Sequence, residues 1–471
     1  MHTRRSFLGW MAAAPLAAQV SLRPVEPLER KGSAQRVIVL GAGLAGLCAA
    51  YELQTQGHQI TVLESQSRPG GRVRTLRECF APGLYAEAGP ETIPGSHELT
   101  QHYARTFGLN LIPTAVPGTH SIYHVQGRRI VPDEHADWPF ELTAEERRLG
   151  YAGLFAKYVD AAVQQALAAG FADQPVRAMA AWDAQTPGAW LRSQGASTGA
   201  AQLIALGFGT DFGSAASYLL HGLNSMGSRN RYRVEGGNDR LPEAFSRRVE
   251  VRFGVPVVAV RQDEQGVRVT AGRRGELETL QADRVICTLP CPVIGKIFQD
   301  ARLSEAKQRA IRQQNYSRTV KVFLQSRTRF WIPQGLNGFV TTDLPIERLS
   351  PDPGSAASER GALTAYPIAN YCSMLEKMDE EGRLAAAFEQ ARQIFPELSK
   401  SFEGGVSKCW GLDPWQGGSF ALHTPGQIGF ITILGQPEGR IHFAGEHTSA
   451  WTGWMQGALE SARRVVREIN S

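Results

Sequence analysis

A glycine-punctuated alternation of apolar runs near the N-terminus constrains this chain more than any other feature. Residues 36–77 read RVIVLGAGLAGLCAAYELQTQGHQITVLESQSRPGGRVRTLR. An apolar run at 37–40, a helical pattern at 44–56 and a second apolar run at 60–63 ending in Glu64 predict a β-α-β unit. In such a unit Gly41 makes the tight turn, Gly43 lets backbone approach a pyrophosphate, and Gly46 permits close helix–strand packing. The helix N-terminus attracts the negative charge, and Glu64 is placed to accept hydrogen bonds from a ribose. The stretch therefore predicts a site for an ADP moiety.

At 471 residues the chain exceeds one ordinary core, so two or three interleaved domains are expected. The 42% hydrophobic and 20% charged composition is that of a globular protein, and no apolar run after the first twenty residues is long enough to span a bilayer. A net charge of +5, with Lys and Arg mixed among acids, gives no basic stripe and argues against nucleic acid. Six cysteines show neither a CxxC pair nor metal spacing, so no metal site is expected. Residues 3–8, TRRSFL, precede an Ala-rich apolar stretch to Val20 and resemble a twin-arginine export signal. Removal of that signal, export through the twin-arginine machinery and a periplasmic or secreted location follow as expectations.

Beyond the first unit, a turn cluster at 235–242 opens a helix, and strand-like runs at 255–260, 267–270 and 285–288 predict a second block of sheet. Residues 145–165 are predicted as helix, and the Gly/Ser-rich region at 207–228 carries a weaker helical pattern. Strand patterns return at 318–330 and 361–366, and a helix closes the chain at 453–469. The expected fold class is α/β: a Rossmann-type domain assembled from three segments, interleaved with a substrate domain of mixed sheet and helices. The expected boundaries are 1–30 for signal and linker, 34–97, 235–300 and 430–471 for the nucleotide domain, and 98–234 and 301–429 for the substrate domain.

Arg68-Pro69-Gly70-Gly71-Arg72 is more than a nicotinamide site needs; paired glycines bring backbone against a flavin diphosphate and ribityl chain. With it, four patches in chain order resemble the flavin-dependent amine oxidase family. They are YAEAG at 85–89; Gly236-Gly237 with Leu241-Pro242; Lys321 ten residues before Trp331; and RIHFAGEHTSAWTGWMQGALESA at 440–462. The resemblance implies FAD, held by Gly41, Gly43, Gly46, Glu64, Gly70, Gly71 and Arg72. It further implies that the Val257 backbone meets adenine, that Gly445 and Glu446 contact the ribityl and phosphate region, and that the Met455 N–H meets the pyrimidine. The N-terminus of the last helix would favour anionic reduced flavin. Lys321 would hold a water near the flavin, and Phe420 and Trp454 would flank the substrate amine as catalytic residues. Ser419 stands where some monoamine oxidases carry a flavin-linking cysteine, so the FAD is expected to be non-covalent.

The implied reaction oxidises an amine C–N bond to an imine, hydrolysed to a carbonyl and ammonia or amine, with O2 reduced to H2O2. A dehydrogenase serving a protein electron acceptor keeps every motif and stays open, as does the oligomeric state. Trp415, Gly418, Ser419, Glu91 and Thr92 are the expected substrate-pocket residues. Within the family the motifs resemble the L-amino acid oxidase branch, which grips the substrate carboxylate with an Arg and a Tyr. Here the Arg position reads Thr92, and residues 346–350 contain no Tyr. Burying a carboxylate without a charged partner costs several kcal/mol, so an amine lacking an α-carboxylate is expected, with Glu91 available to a second cationic group. An amino acid held by a displaced Arg318 or Arg348 is the alternative.

Overall fold

The computed structural model describes residues 25–114, 119–132, 136–171, 173–206, 209–226, 230–273, 275–298, 301–352, 359–368 and 371–471. The export motif at 3–8 lies outside them. Strand β1 (Arg36–Leu40), helix α1 (Leu44–Thr55) and β2 (Gln59–Glu64) form the expected unit. Three distant strands complete one parallel sheet: β3 (Val251–Phe253), β4 (Arg284–Cys287) and β5 (Ile441–Phe443), in the order β3-β2-β1-β4-β5.

Side chains alternate across a strand, and β1 uses both faces. Val37 and Val39 enter one core with Leu47 and Ala50 of α1 and with Leu459 and Val466 of the closing helix α2 (Met455–Asn470). Ile38 and Leu40 enter another, with Leu63, Val285 and Ile441. That double burial is why these strands are uniformly apolar, and each such side chain contributes about 1.5–3 kcal/mol.

The predicted second block of sheet divides in two. The strands Val257–Asp263, Gly266–Arg273 and Glu276–Ala282 make a separate antiparallel sheet, while Arg284–Cys287 joins the parallel one. Alternating exposure along Val257–Asp263 marks a one-sided sheet, whereas β4 is apolar and almost wholly buried. The three-residue β3 is too short to leave a periodic signal.

A seven-stranded sheet forms the second half of the molecule, in the order Phe402–Cys409, Val320–Ser326, Gly361–Ala365, Arg348–Asp352, Leu336–Thr342, His120–Val125, Arg128–Ile130. Strands from residues 98–234 and 301–429 thus pair directly. Against it stands a helical cluster. The helix predicted at 145–165 is two, Ala144–Tyr158 and Asp160–Ala168, and Gly150 takes φ 61° inside the first. Thr143 and Glu146 close a capping box at its start. The region of weaker helical pattern contains the helix Ala215–Met226. Among the described residues no helix is long and apolar enough to cross a membrane.

Candidate active site

At the carboxyl end of β1 the chain turns at Gly41, whose φ is 100° and whose N–H donates to Leu63 O at 2.8 Å. A Cβ on Gly46 would stand 2.1 Å from Gly41 O, so helix α1 packs directly on the turn. Gly43 differs: with φ −70° and no atom within 4 Å of a Cβ built on it, its bare face opens on a cavity. Gly70 folds back on this turn, donating to Ala42 O at 2.8 Å, and takes φ 99°. Glu64 accepts the Ala42 N–H at 2.7 Å and the Gln66 N–H at 2.8 Å, bracing the turn while lining the cavity. Open glycine backbone beside a helix N-terminus, with a carboxylate at the end of β2, is a cradle that fits a dinucleotide.

On the far side, Glu446 acts as a clamp. It accepts Arg72 Nη1 at 2.7 Å, the Ala421 N–H at 3.2 Å and the Gly453 N–H at 2.9 Å, and Arg72 also donates to Ser419 O at 3.0 Å. Burial pushes the Glu446 carboxyl up, but Arg72 above all, with His447 and the Gly453 N–H, draws it below the usual carboxylate range. One side chain therefore locks the Arg-Pro-Gly-Gly-Arg loop, the Ser419–Phe420 segment and the loop before α2. These partners all belong to the protein, and the side chain also lines the cavity.

Gly41, Gly43, Glu64, Gly70, Gly71, Arg72, Val257, Gly445, Glu446 and Met455 all line this one cavity, as do Lys321, Glu91, Thr92, Trp415, Ser419, Phe420 and Trp454. Two expected members do not. Gly46 lies beneath the turn, and Gly418 is pressed against Tyr316, where a Cβ would meet Tyr316 Cβ at 2.6 Å. Trp415 sits at the rim, 39% exposed. The Ser419 hydroxyl donates to Ser317 O at 2.9 Å and lies 2.8 Å from Thr319 Oγ1. Gly453 takes φ 81°, which strains any side chain, and the Phe420 ring passes in ordinary contact, 3.5 Å from where a Cβ would stand. Trp454 is stacked on His221 at 5.2 Å and meets His97 edge-on at 4.8 Å. Burial lowers His221 to about 4 and His97 to about 3, keeping both neutral.

Lys321 is tied into the wall of the cavity. Its buried Nζ donates to Glu87 O at 2.9 Å, Gly89 O at 2.8 Å and Glu91 Oε1 at 2.7 Å. An ammonium has three protons, matching these three acceptors within the chain. The same pairing gives Glu91 a counter-charge within the chain while it lines the cavity.

Arg348 was missed as a pocket residue except as an alternative, and Tyr366 was missed altogether. Antiparallel pairing of Arg348–Asp352 with Gly361–Ala365 brings them together: Tyr366 N donates to Arg348 O at 3.0 Å, and the guanidinium carbon lies 4.5 Å from the Tyr366 ring centre. Both line the cavity, and Arg348 Nε is buried without a hydrogen-bond partner. Arg318 lies elsewhere, half exposed and paired with Glu376 at 2.6 Å. The Tyr sought after residue 345 is thus absent from that loop, but a Tyr reaches the site from the neighbouring strand.

Residues 44–470 match the family described as flavin containing amine oxidoreductase. The L-amino-acid oxidase of Vipera ammodytes ammodytes is 30% identical over 463 residues, covering 94% of each chain. That of Siganus canaliculatus is 30% identical over 456 residues, covering 93% of this chain and 86% of the other. Among solved structures, cyclohexylamine oxidase from Brevibacterium oxydans IH-35A superposes with a TM-score of 0.79 at 22% identity, covering 93% of this chain and 99% of that one. Matched over nearly its whole length, with the dinucleotide cradle in place, this chain belongs to the flavin containing amine oxidoreductase family and is an FAD-dependent amine oxidase.

Proposed function

We propose that the substrate is an amine bearing an anionic group, with L-amino acids the leading candidates, and that electrons pass to O2. The observation that carries this reading is Arg348, a half-buried guanidinium lining the cavity, whose buried Nε has no hydrogen-bond partner and which forms no ion pair among the described residues. A half-buried guanidinium with a free N–H facing a cavity is a ready partner for a carboxylate, and a charged, geometrically matched contact there favours an anionic substrate group. The absence of Arg at position 92 had favoured a carboxylate-free amine; Arg348, with Tyr366 beside it, supplies the cation from another strand. The relatives described as L-amino-acid oxidases support the same substrate class.

Bound FAD supplies the two-electron acceptor. The chain's part is to hold the amine between Phe420 and Trp454, exclude bulk water and keep His221 neutral so that it does not repel a cationic substrate. Loss of two electrons and two protons converts the amine to an imine, water converts that to a carbonyl and ammonia, and O2 takes up the electrons and protons as H2O2. Ser419 offers no thiol, which supports non-covalent FAD. The motif at 3–8 supports export of the folded protein to the periplasm or medium.

A peroxide-coupled screen of the holoenzyme, comparing L-amino acids with their decarboxylated analogues, tests the proposal. Turnover of the amino acids with an Arg348→Met variant raising KM about tenfold or more is expected, a charged hydrogen bond contributing about 1.5–3 kcal/mol. Preference for the decarboxylated amines overturns it. Flavin reduced by substrate but not reoxidised in air would indicate a protein acceptor instead.

A further inference from the structure

Trp454 lines the cavity, yet its indole Nε1 is buried without a hydrogen-bond partner among the described residues, so the ring is placed by its neighbours and by the loop that carries it. His221 stacks on it at 5.2 Å with the planes 22° apart, and His97 meets it edge-on at 4.8 Å. His97 packs edge-on against Trp451 as well, at 5.2 Å, so one imidazole braces both tryptophans of the loop. Its Nε2 lies 3.2 Å from Asn224 O, and a carbonyl only accepts, so that nitrogen carries the proton and the ring is fixed as one tautomer. The side chain of the same asparagine reaches the loop itself: Asn224 Nδ2 donates to Ala450 O at 2.6 Å. Asn224 is buried and stands three residues after His221 in the helix Ala215–Met226, which puts both on one helix face.

We propose that Asn224 is the positioning residue for Trp454. It is not part of the cavity wall and acts through two contacts, its amide on the start of the loop and its carbonyl on the imidazole that braces the indole. The far end of the loop is fixed by other means. Glu446 accepts the Gly453 N–H at 2.9 Å, a Cβ on Gly457 would meet Trp451 O at 2.3 Å, and Gln456 Oε1 accepts the Thr100 N–H at 3.1 Å at the start of the helix Glu98–Thr106. Ring contacts tolerate a broad range of angles, so stacking on His221 and His97 does not by itself set the indole to a fraction of an ångström. A displacement of about 1 Å beside the reacting centre can cost about 100-fold in rate, which is the error that the Asn224 contacts prevent. The inference rests on the reading of Trp454 as a wall for the substrate amine.

A double-mutant cycle of Asn224→Ala and Trp454→Leu tests this, read as the limiting rate of flavin reduction when the holoenzyme is mixed with L-phenylalanine, or with phenethylamine where the amino acid is not turned over. Asn224→Ala is expected to lower that rate about tenfold or more, while the apparent substrate Kd, and the FAD affinity from fluorescence titration of the apoprotein, stay within about threefold of wild type. In the Trp454→Leu background the same substitution is expected to lower the rate by less than about threefold, because the residue it acts through is gone. Equal fold-losses in the two backgrounds overturn the inference, as does an unchanged rate in Asn224→Ala. Asn224→Ser, the milder change, carries the cycle where the alanine variant does not hold FAD; loss of FAD binding in both variants overturns the inference by confining Asn224 to the scaffold. Trp454→Leu reduced as fast as wild type removes the reading of Trp454, and the inference with it, and that single variant tells this failure from the others.

Discussion

Lys321 Nζ lies 2.7 Å from Glu91 Oε1, an ion pair in which the lysine side chain is 2% exposed. Burial pushes the Glu91 carboxyl up, and Lys321, together with Arg348 and a Ser350 hydrogen bond, more than offsets it. The lysine also carries the carbonyls of Glu87 and Gly89, and so fastens the loop of residues 87–91 to the strand Val320–Ser326. That strand lies in the large sheet and the loop borders the cofactor cradle, so one side chain joins the two halves of the site.

Removing one partner of a buried pair leaves the other charge uncompensated, at a cost of about 3–5 kcal/mol. Lys321→Met is therefore expected to lower the urea midpoint of the holoenzyme, and the double variant Lys321→Met/Glu91→Gln to recover part of the loss. A single variant as stable as wild type, altered only in the rate of flavin reduction, would mean that the lysine serves the reaction and not the scaffold.

Two glycines three residues apart separate cofactor binding from folding. A methyl at Gly43 meets no protein atom and φ is −70°, so Gly43→Ala is expected to leave apoprotein stability within about 0.5 kcal/mol while weakening FAD binding. Gly46→Ala drives a Cβ to 2.1 Å from Gly41 O and is expected to destabilise the apoprotein itself. Thermal unfolding with and without FAD checks both; an unchanged FAD affinity in Gly43→Ala would show that nothing bound approaches that face.

Glu446→Gln keeps the shape but not the charge that holds Arg72 at 2.7 Å. A hydrogen bond to a charged group contributes about 1.5–3 kcal/mol, so FAD affinity measured by fluorescence titration is expected to fall about 10- to 100-fold. Loss of stability with no change in FAD affinity would confine the clamp to the protein's own folding.

Local constraints made half of this site legible in the sequence. Gly41, Gly70 and Gly445 are glycines because φ is strongly positive at each, and such demands leave the same signature wherever the chain lies. The remainder depends on pairing at a distance. Arg348 and Tyr366 meet only through the register of two antiparallel strands, and Lys321 finds its partners more than 200 residues upstream, two of them backbone carbonyls that carry no residue identity. His221 reaches Trp454 from a helix rich in small residues, where a lone histidine has no pattern to mark it.

Buried titratable groups set opposing limbs on the pH profile of stability. Burial raises Asp352 to about 7 and Glu87 to about 8, so the folded protein holds two protons that the unfolded chain releases above its ordinary carboxylate range. Their contribution is full below that range and is lost as pH rises through about 7 and 8. His97, His221, His423 and His447 run the other way: burial lowers the first to about 3 and the others to about 4, from an ordinary value of 6.5. Their contribution is present above 6.5 and is lost as pH falls toward 4. Four histidines outweigh two carboxyls in the window from 4 to 6.5, and only the carboxyls titrate between 6.5 and 7. Stability is therefore expected to peak near pH 6.5, with a steep acid limb and a shallower fall toward pH 8. Urea midpoints at saturating FAD across this range measure it. Asp352→Asn with Glu87→Gln, neutral at every pH, should flatten the alkaline limb and leave the acid limb in place; a wild-type profile level from pH 6.5 to 8 would mean that both carboxyls are ionised in the folded protein.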